Sequence, residues 1–79
     1  MIVPLYGFVE GDTIGLVVLA RPDTTGAQIV AQLSDAASVR VDPAGPWTLL
    51  ARGGEVPLDK TVEELALGPF ERVDLRRRS

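Results

Sequence analysis

Cysteine and histidine are both absent from this chain of 79 residues. Without cysteine there is no disulfide to staple the fold, no thiolate nucleophile and no cysteine-ligated zinc. Without histidine the side chain that changes charge near neutral pH is missing, and with it the commonest metal ligand. Aromatic residues are scarce as well, with one Trp, one Tyr and two Phe. Basic residues are outnumbered, eight against eleven acidic ones, for a net charge of −3. A pI near 4.7 argues against nucleic acid as a partner, because its binders carry a basic face. The longest strongly apolar run, Ile14 to Ala20, is far shorter than the ~20 residues of a membrane span. The opening Met1-Ile2-Val3-Pro4-Leu5-Tyr6 lacks the positively charged region of a secretory signal, so the cytoplasm is the expected compartment.

What is present suits one small domain over residues 1–79, with 76–79 expected to fray. The hydrophobic fraction of 46% supplies a core. A single core at this length gives only ~3–5 kcal/mol, so an unstapled chain depends on a regular fold or on a partner.

Ile2 to Val9 and Thr13 to Ala20 read as two strands around the turn Glu10-Gly11-Asp12. With Val9 opposite Thr13, Phe8 pairs with Ile14, Tyr6 with Leu16 and Pro4 with Val18. Alternation then places Tyr6, Phe8, Ile14, Leu16 and Val18 on one face, the better core candidate. Arg21-Pro22-Asp23-Thr24-Thr25 breaks the strand, and Thr25 with Gln28 forms a capping box. Ile29, Val30, Leu33, Ala36 and Ala37 recur at helical spacing, and the helix fades by Ala37 or Ser38. After the break Asp42-Pro43-Ala44-Gly45-Pro46, residues 47–52 read as a strand and Gly53-Gly54 as its turn. Glu55 to Leu58 suggests a short edge strand. Thr61-Val62-Glu63-Glu64 opens a second, short helix that Gly68-Pro69 ends, and residues 70–77 close as a strand.

A hairpin, one amphipathic helix, two strands, a short helix and a last strand give an α+β class. A mixed sheet packed on one main helix is the simplest way to bury a single apolar helical face. In this order of elements the chain resembles the β-grasp, or ubiquitin-like, fold.

Particular segments narrow the resemblance. Pro4-Leu5-Tyr6-Gly7-Phe8-Val9-Glu10-Gly11-Asp12 leads into the apolar strand, and Asp23-Thr24-Thr25 leads into the helix. With Val39-Arg40-Val41-Asp42-Pro43, Pro57-Leu58-Asp59-Lys60-Thr61-Val62 and Gly68-Pro69-Phe70-Glu71-Arg72-Val73-Asp74-Leu75, these stretches span nearly the whole chain. The pattern is similar to the small B component of multicomponent toluene monooxygenases, the γ subunit of the diiron hydroxylase. That resemblance implies a ubiquitin-like fold and a structural role on a larger hydroxylase subunit. It implies no catalytic residue, cofactor or metal in this chain, since iron and substrate tunnel belong to the large subunit. Ubiquitin-like accessory proteins of type VII secretion systems look similar too and remain an alternative. A sulfur-carrier-like protein is a third reading, disfavoured because Arg76-Arg77-Arg78-Ser79 stands where a carrier has its diglycine.

In the register above, the second hairpin face holds Val3, Leu5, Val17 and Leu19, an apolar set on the side of a sheet that is ordinarily polar. These four are the candidate docking residues. Trp47 joins them, because tryptophan is enriched at contact hot spots, although in a small domain it is more often a core filler. Arg76, Arg77 and Arg78 suit bidentate contacts with a partner's carboxylates. Asp59, Glu63 and Glu64, like Asp23, are read as helix N-terminal charges and not as an acid–base pair, for nothing near them encloses a pocket.

Overall fold

The computed structural model describes residues 1–78. Its elements are β1 (Val3–Val9), β2 (Leu16–Ala20), α1 (Gly26–Ala36), β3 (Trp47–Ala51), β4 (Gly54–Glu55) and β5 (Glu71–Arg77). They build a five-stranded sheet in the order β2-β1-β5-β3-β4. The two terminal strands, β1 and β5, run parallel at its centre, and the β1–β2, β5–β3 and β3–β4 pairs are antiparallel. The helix crosses one face of this sheet and leaves the other uncovered.

Local chemistry starts α1 where the sequence places it. Thr25 is the extended N-cap; its hydroxyl accepts from the Gln28 N–H and the Gln28 side chain accepts from the Thr25 N–H. Both orphan donors of the first turn are thereby satisfied. The inward stripe Ile29, Leu33 and Ala37 is buried against Leu5, Leu49, Val73 and Leu75. Leu33 sits where a β-carbon on Gly7 would project. The absence of a side chain at Gly7 therefore lets the helix settle close on β1.

The hairpin departs from the expected register by one residue. Gly7 faces Leu16, Tyr6 faces Val17 and Leu5 faces Val18. β2 starts only at Leu16, and residues 10–15 form a wider loop instead of a three-residue turn. A one-residue slip reverses the facing of a strand. Val3, Leu5 and Val9 of β1 accordingly point into the core, while Tyr6 points out. In the loop, Gly11 takes a left-handed φ of 91°, and the Phe8 ring covers the position of a β-carbon on Gly15.

The second, short helix does not form. Thr61 and Glu64 do exchange the reciprocal bonds of a capping box, at 3.0 and 3.1 Å. One helical bond follows, from the Leu65 N–H to the Thr61 carbonyl. Ala66 then turns left-handed at φ 55°, which stops the turn after a single round. The expected edge strand is also shorter, Gly54–Glu55.

Because Leu33 is wholly buried above Gly7, a branched side chain there has nowhere to go. Gly7→Val should destabilise the chain by about 1–3 kcal/mol, the usual cost of overpacking a core. Urea unfolding would register this as a lower midpoint at unchanged slope, and an unchanged midpoint would refute the close packing.

Candidate docking face

Strand alternation decides which side chains look away from α1. From β1 these are Pro4, Tyr6 and Phe8, from β2 Val17 and Leu19, and from β5 Arg72, Asp74 and Arg76. Val17 and Leu19 are 60% and 63% exposed, and Tyr6 is 45% exposed. Tyr6 lies directly across from Val17, and Pro4 from Leu19. Phe70, just ahead of β5 and 60% exposed, packs against Tyr6 with ring centroids 5.7 Å apart and planes tilted by 41°. Pro4, Tyr6, Val17, Leu19 and Phe70 thus form one continuous apolar strip on the open side of the sheet. Contiguous exposed apolar area of this kind marks contact surfaces.

The residues expected to dock distribute unevenly. Val17 and Leu19 lie on the strip, but Val3 and Leu5 are core residues at 7% and 0% exposure, a consequence of the shifted register. Trp47 is also buried, and its indole N–H donates to the Pro43 carbonyl at 3.0 Å. Arg77 is engaged within the chain: its guanidinium donates to the Ala44 and Asp42 carbonyls and lies 4.3 Å from the centre of the Trp47 ring. Arg78 pairs with Glu55 at 2.8 Å. Arg76 and Arg77 belong to β5, and Ser79 lies outside the described residues. Of the three arginines, Arg76 alone faces outward without an ion-pair partner among the described residues.

Sequence reasoning missed Tyr6 and Phe70. Tyr6 was assigned to the core by the register, and Phe70 had no signal beyond following Gly68-Pro69. Its placement depends on a distant residue, Arg52. The turn Arg52-Gly53 between β3 and β4 has positive φ at both positions, 54° and 79°, as a two-residue hairpin loop requires. From there the Arg52 guanidinium donates to the Leu65 and Ala66 carbonyls and forks onto Glu71. Glu71 in turn accepts from the Gly68 N–H at 3.0 Å. That backbone bond, helped by Arg52, holds the Glu71 carboxyl below its ordinary value.

A second clamp fastens the other end of the hairpin. Asp12 receives both Nε and Nη2 of Arg40, at 2.8 and 3.0 Å, and also the Thr13 N–H. The Arg40 fork chiefly lowers the Asp12 pKa, and the same pair raises that of Arg40. Beside it lies an open recess of about 330 Å³ lined by Phe8, Glu10, Asp12, Asp74 and Arg76 among others. Its carboxylates are already committed: Asp12 to Arg40, Asp74 to Arg72, and Glu10 to the Arg77 backbone N–H. Among the described residues no group of three or more carboxylate or other ligand side chains is disposed to hold a metal. No helix there is long and apolar enough to cross a membrane.

Neither a protein-family model nor a curated protein matches the chain. Solved structures do match it. A chain of the toluene 4 monooxygenase HD complex with the inhibitor 4-bromobenzoate superposes with a TM-score of 0.88, covering 99% of this chain and 100% of that one at 21% identity. Ubiquitin of Caldiarchaeum subterraneum gives a TM-score of 0.83, over 100% and 96% of the two chains at 15% identity. The fold is ubiquitin-like. The ubiquitin-like domain of Plasmodium falciparum Dsk2 superposes as well, with a TM-score of 0.79 at 14% identity over 99% of this chain and 100% of that one. The mixed five-stranded sheet and single helix expected from the order of elements are therefore present, without the second helix.

The Glu71 network makes stability depend on acid in a defined sense. A carboxyl whose native pKa is lowered stabilises the fold above its unfolded value and ceases to do so as pH falls through the native one. Glu71→Gln should thus lower the urea midpoint at pH 7, and its deficit should shrink as pH drops below the ordinary value of 4.5. A deficit independent of pH would refute the network. Arg77→Ala should loosen the loop over Trp47, shifting its fluorescence to the red at a stability cost of about 1 kcal/mol. An unshifted spectrum would show that the clamp is idle.

Proposed function

We propose that the chain is a non-catalytic, ubiquitin-like subunit that docks through its open sheet face on a larger protein. That protein, in this reading, is the large subunit of a bacterial diiron monooxygenase hydroxylase, and the assembly is cytoplasmic. The observation that carries the docking role is the strip of Pro4, Tyr6, Val17, Leu19 and Phe70, which nothing in the free chain covers. A small domain with limited core gains most from having such a surface sealed by a partner. The choice of a hydroxylase is supported by the end-to-end likeness to a chain of the toluene 4 monooxygenase complex. The segments quoted from Pro4 to Leu75 support it independently.

The carrier alternative is weakened from within the fold. A carrier needs a free glycine end, whereas Gly53 lies in the β3–β4 turn and Gly54 pairs with Ala51. A secretion-system accessory role would use the same fold and differs in the partner alone.

Co-expression with a diiron hydroxylase large subunit from the same genome provides the test. The two proteins should co-elute, and Val17→Asp with Leu19→Asp should weaken the complex by at least about 2 kcal/mol, as expected for a hot spot. Both sites are exposed, so circular dichroism should stay native. A chain that elutes alone beside a folded, iron-loaded hydroxylase would overturn the reading.

A further inference from the structure

The outer edge of β2 carries free backbone groups whose positions the rest of the sheet determines. Pro4 has no N–H, and its carbonyl accepts from the Phe70 N–H, on the β5 side. In an antiparallel ladder, paired residues alternate between exchanging both bonds and directing them away from each other. The Pro4–Leu19 pair is therefore of the second kind, and so is Tyr6–Val17, two places along. Val17 and Leu19 consequently direct their N–H and C=O groups away from β1. No strand lies beyond them, and no turn or loop group among the described residues bonds to them. Their exposed side chains flank those groups with apolar surface.

The chemistry of this edge selects its occupant. A helix laid along it would displace water from the free groups and return no hydrogen bond, because a helix satisfies its own backbone. An extended strand returns the bonds. β2 is itself such a strand: apolar from Leu16 to Ala20, without charge or proline, and with its free groups at alternate residues. A disordered segment would lose backbone freedom on pairing, whereas a second β2 is already ordered and has little to lose. We infer that two copies of the chain pair edge to edge through β2, antiparallel about a two-fold axis at Val18. Val17 of each copy then exchanges both bonds with Leu19 of the other, and Val18 meets Val18. This register keeps every paired residue inside β2 and sets no charge against another. It is self-complementary, as a two-fold contact must be. Both helices lie on one side of the joined sheet, and the two apolar strips adjoin on the other. The pairing is separate from docking on a larger protein, since the open side of the strip stays free.

Sedimentation equilibrium on the native chain gives the first test. The average mass should rise from one chain, 8.4 kDa, toward two between about 10 µM and about 1 mM, the weak association expected of an interface below ~1,200 Å². Val17→Pro removes an outward N–H without touching the β1 ladder, and proline is tolerated on a strand edge. The dimer loses that donor twice, so it should weaken at least about tenfold. Because the chain has no cysteine, cross-linking reads the register cleanly. Val17→Cys mixed with Leu19→Cys should form a mixed disulfide under mild oxidation, the paired Cα atoms being ~5.5 Å apart. Val17→Cys alone should link far less, since its mate sits diagonally at about 7–8 Å.

A mass that stays at one chain up to about 1 mM would overturn the inference. So would a dimer that a folded Val17→Pro chain leaves intact, or Val17→Cys linking to itself as readily as to Leu19→Cys. If Val17→Pro unfolds, the cross-linking pattern decides. A chain that is monomeric alone but loses its hydroxylase on Val17→Pro would assign the edge to a strand of the larger protein and refute the pairing of copies.

Discussion

The seat of Leu33 over Gly7 is the contact from which the remaining arrangement follows. A side chain at Gly7 would hold α1 away from β1, and the core is too small to absorb the gap. With the helix seated, Val3, Leu5 and Val9 must face inward, because period-two alternation allows no other choice once Gly7 does. Tyr6 and its neighbours then face outward. The parallel partner β5 inherits the same division, with Val73 and Leu75 inside and Arg72, Asp74 and Arg76 outside. One missing β-carbon therefore determines both what the core contains and what the open face presents.

Much of the architecture was legible because its signals are local. Thr25 and Gln28 mark the helix start, Ile29, Leu33 and Ala37 its buried stripe, and the proline-rich break before Trp47 its separation from β3. The hairpin register was not legible, for a physical reason. β1 is apolar on both faces, so hydrophobic alternation offers no preference between Leu5 and Tyr6 as the inward residue. A tight turn over Glu10-Gly11-Asp12 was the natural expectation. The loop is instead widened where Arg40, from beyond the helix, forks onto Asp12. The same limitation hid the candidate site. Val17 and Leu19 could be read from strand alternation, whereas Phe70 is placed by contacts with Arg52 and Pro4 that lie far away in sequence.

The basic end of β5 shows how composition misleads about role. Three consecutive arginines suggest one solvated cluster, yet the pleat sends them to different tasks. Arg77 closes the loop over Trp47, Arg78 meets Glu55 across the sheet, and Arg76 stays on the open face. Alternation separates Arg76 from Arg77, and of the three only Arg76 faces outward without an ion pair among the described residues.

The two edges of the sheet are protected unequally, and the difference coincides with the apolar strip. β4 is a two-residue edge, with Pro57 two residues beyond its end and the Glu55–Arg78 pair at its border. Short length, charge and proline are the usual defences of an exposed edge. β2 has none of them: Leu16 to Ala20 carries no charge and no proline, and its outer backbone groups meet no neighbouring strand. Such an edge invites pairing with other chains, and selection ordinarily removes it. Here it adjoins Val17, Leu19, Tyr6 and Phe70, so a partner seated on the strip would also lie along the unguarded strand. The edge that lacks short length, charge and proline as defences is thus the one that borders the apolar strip, while the defended edge lies at the far side of the sheet.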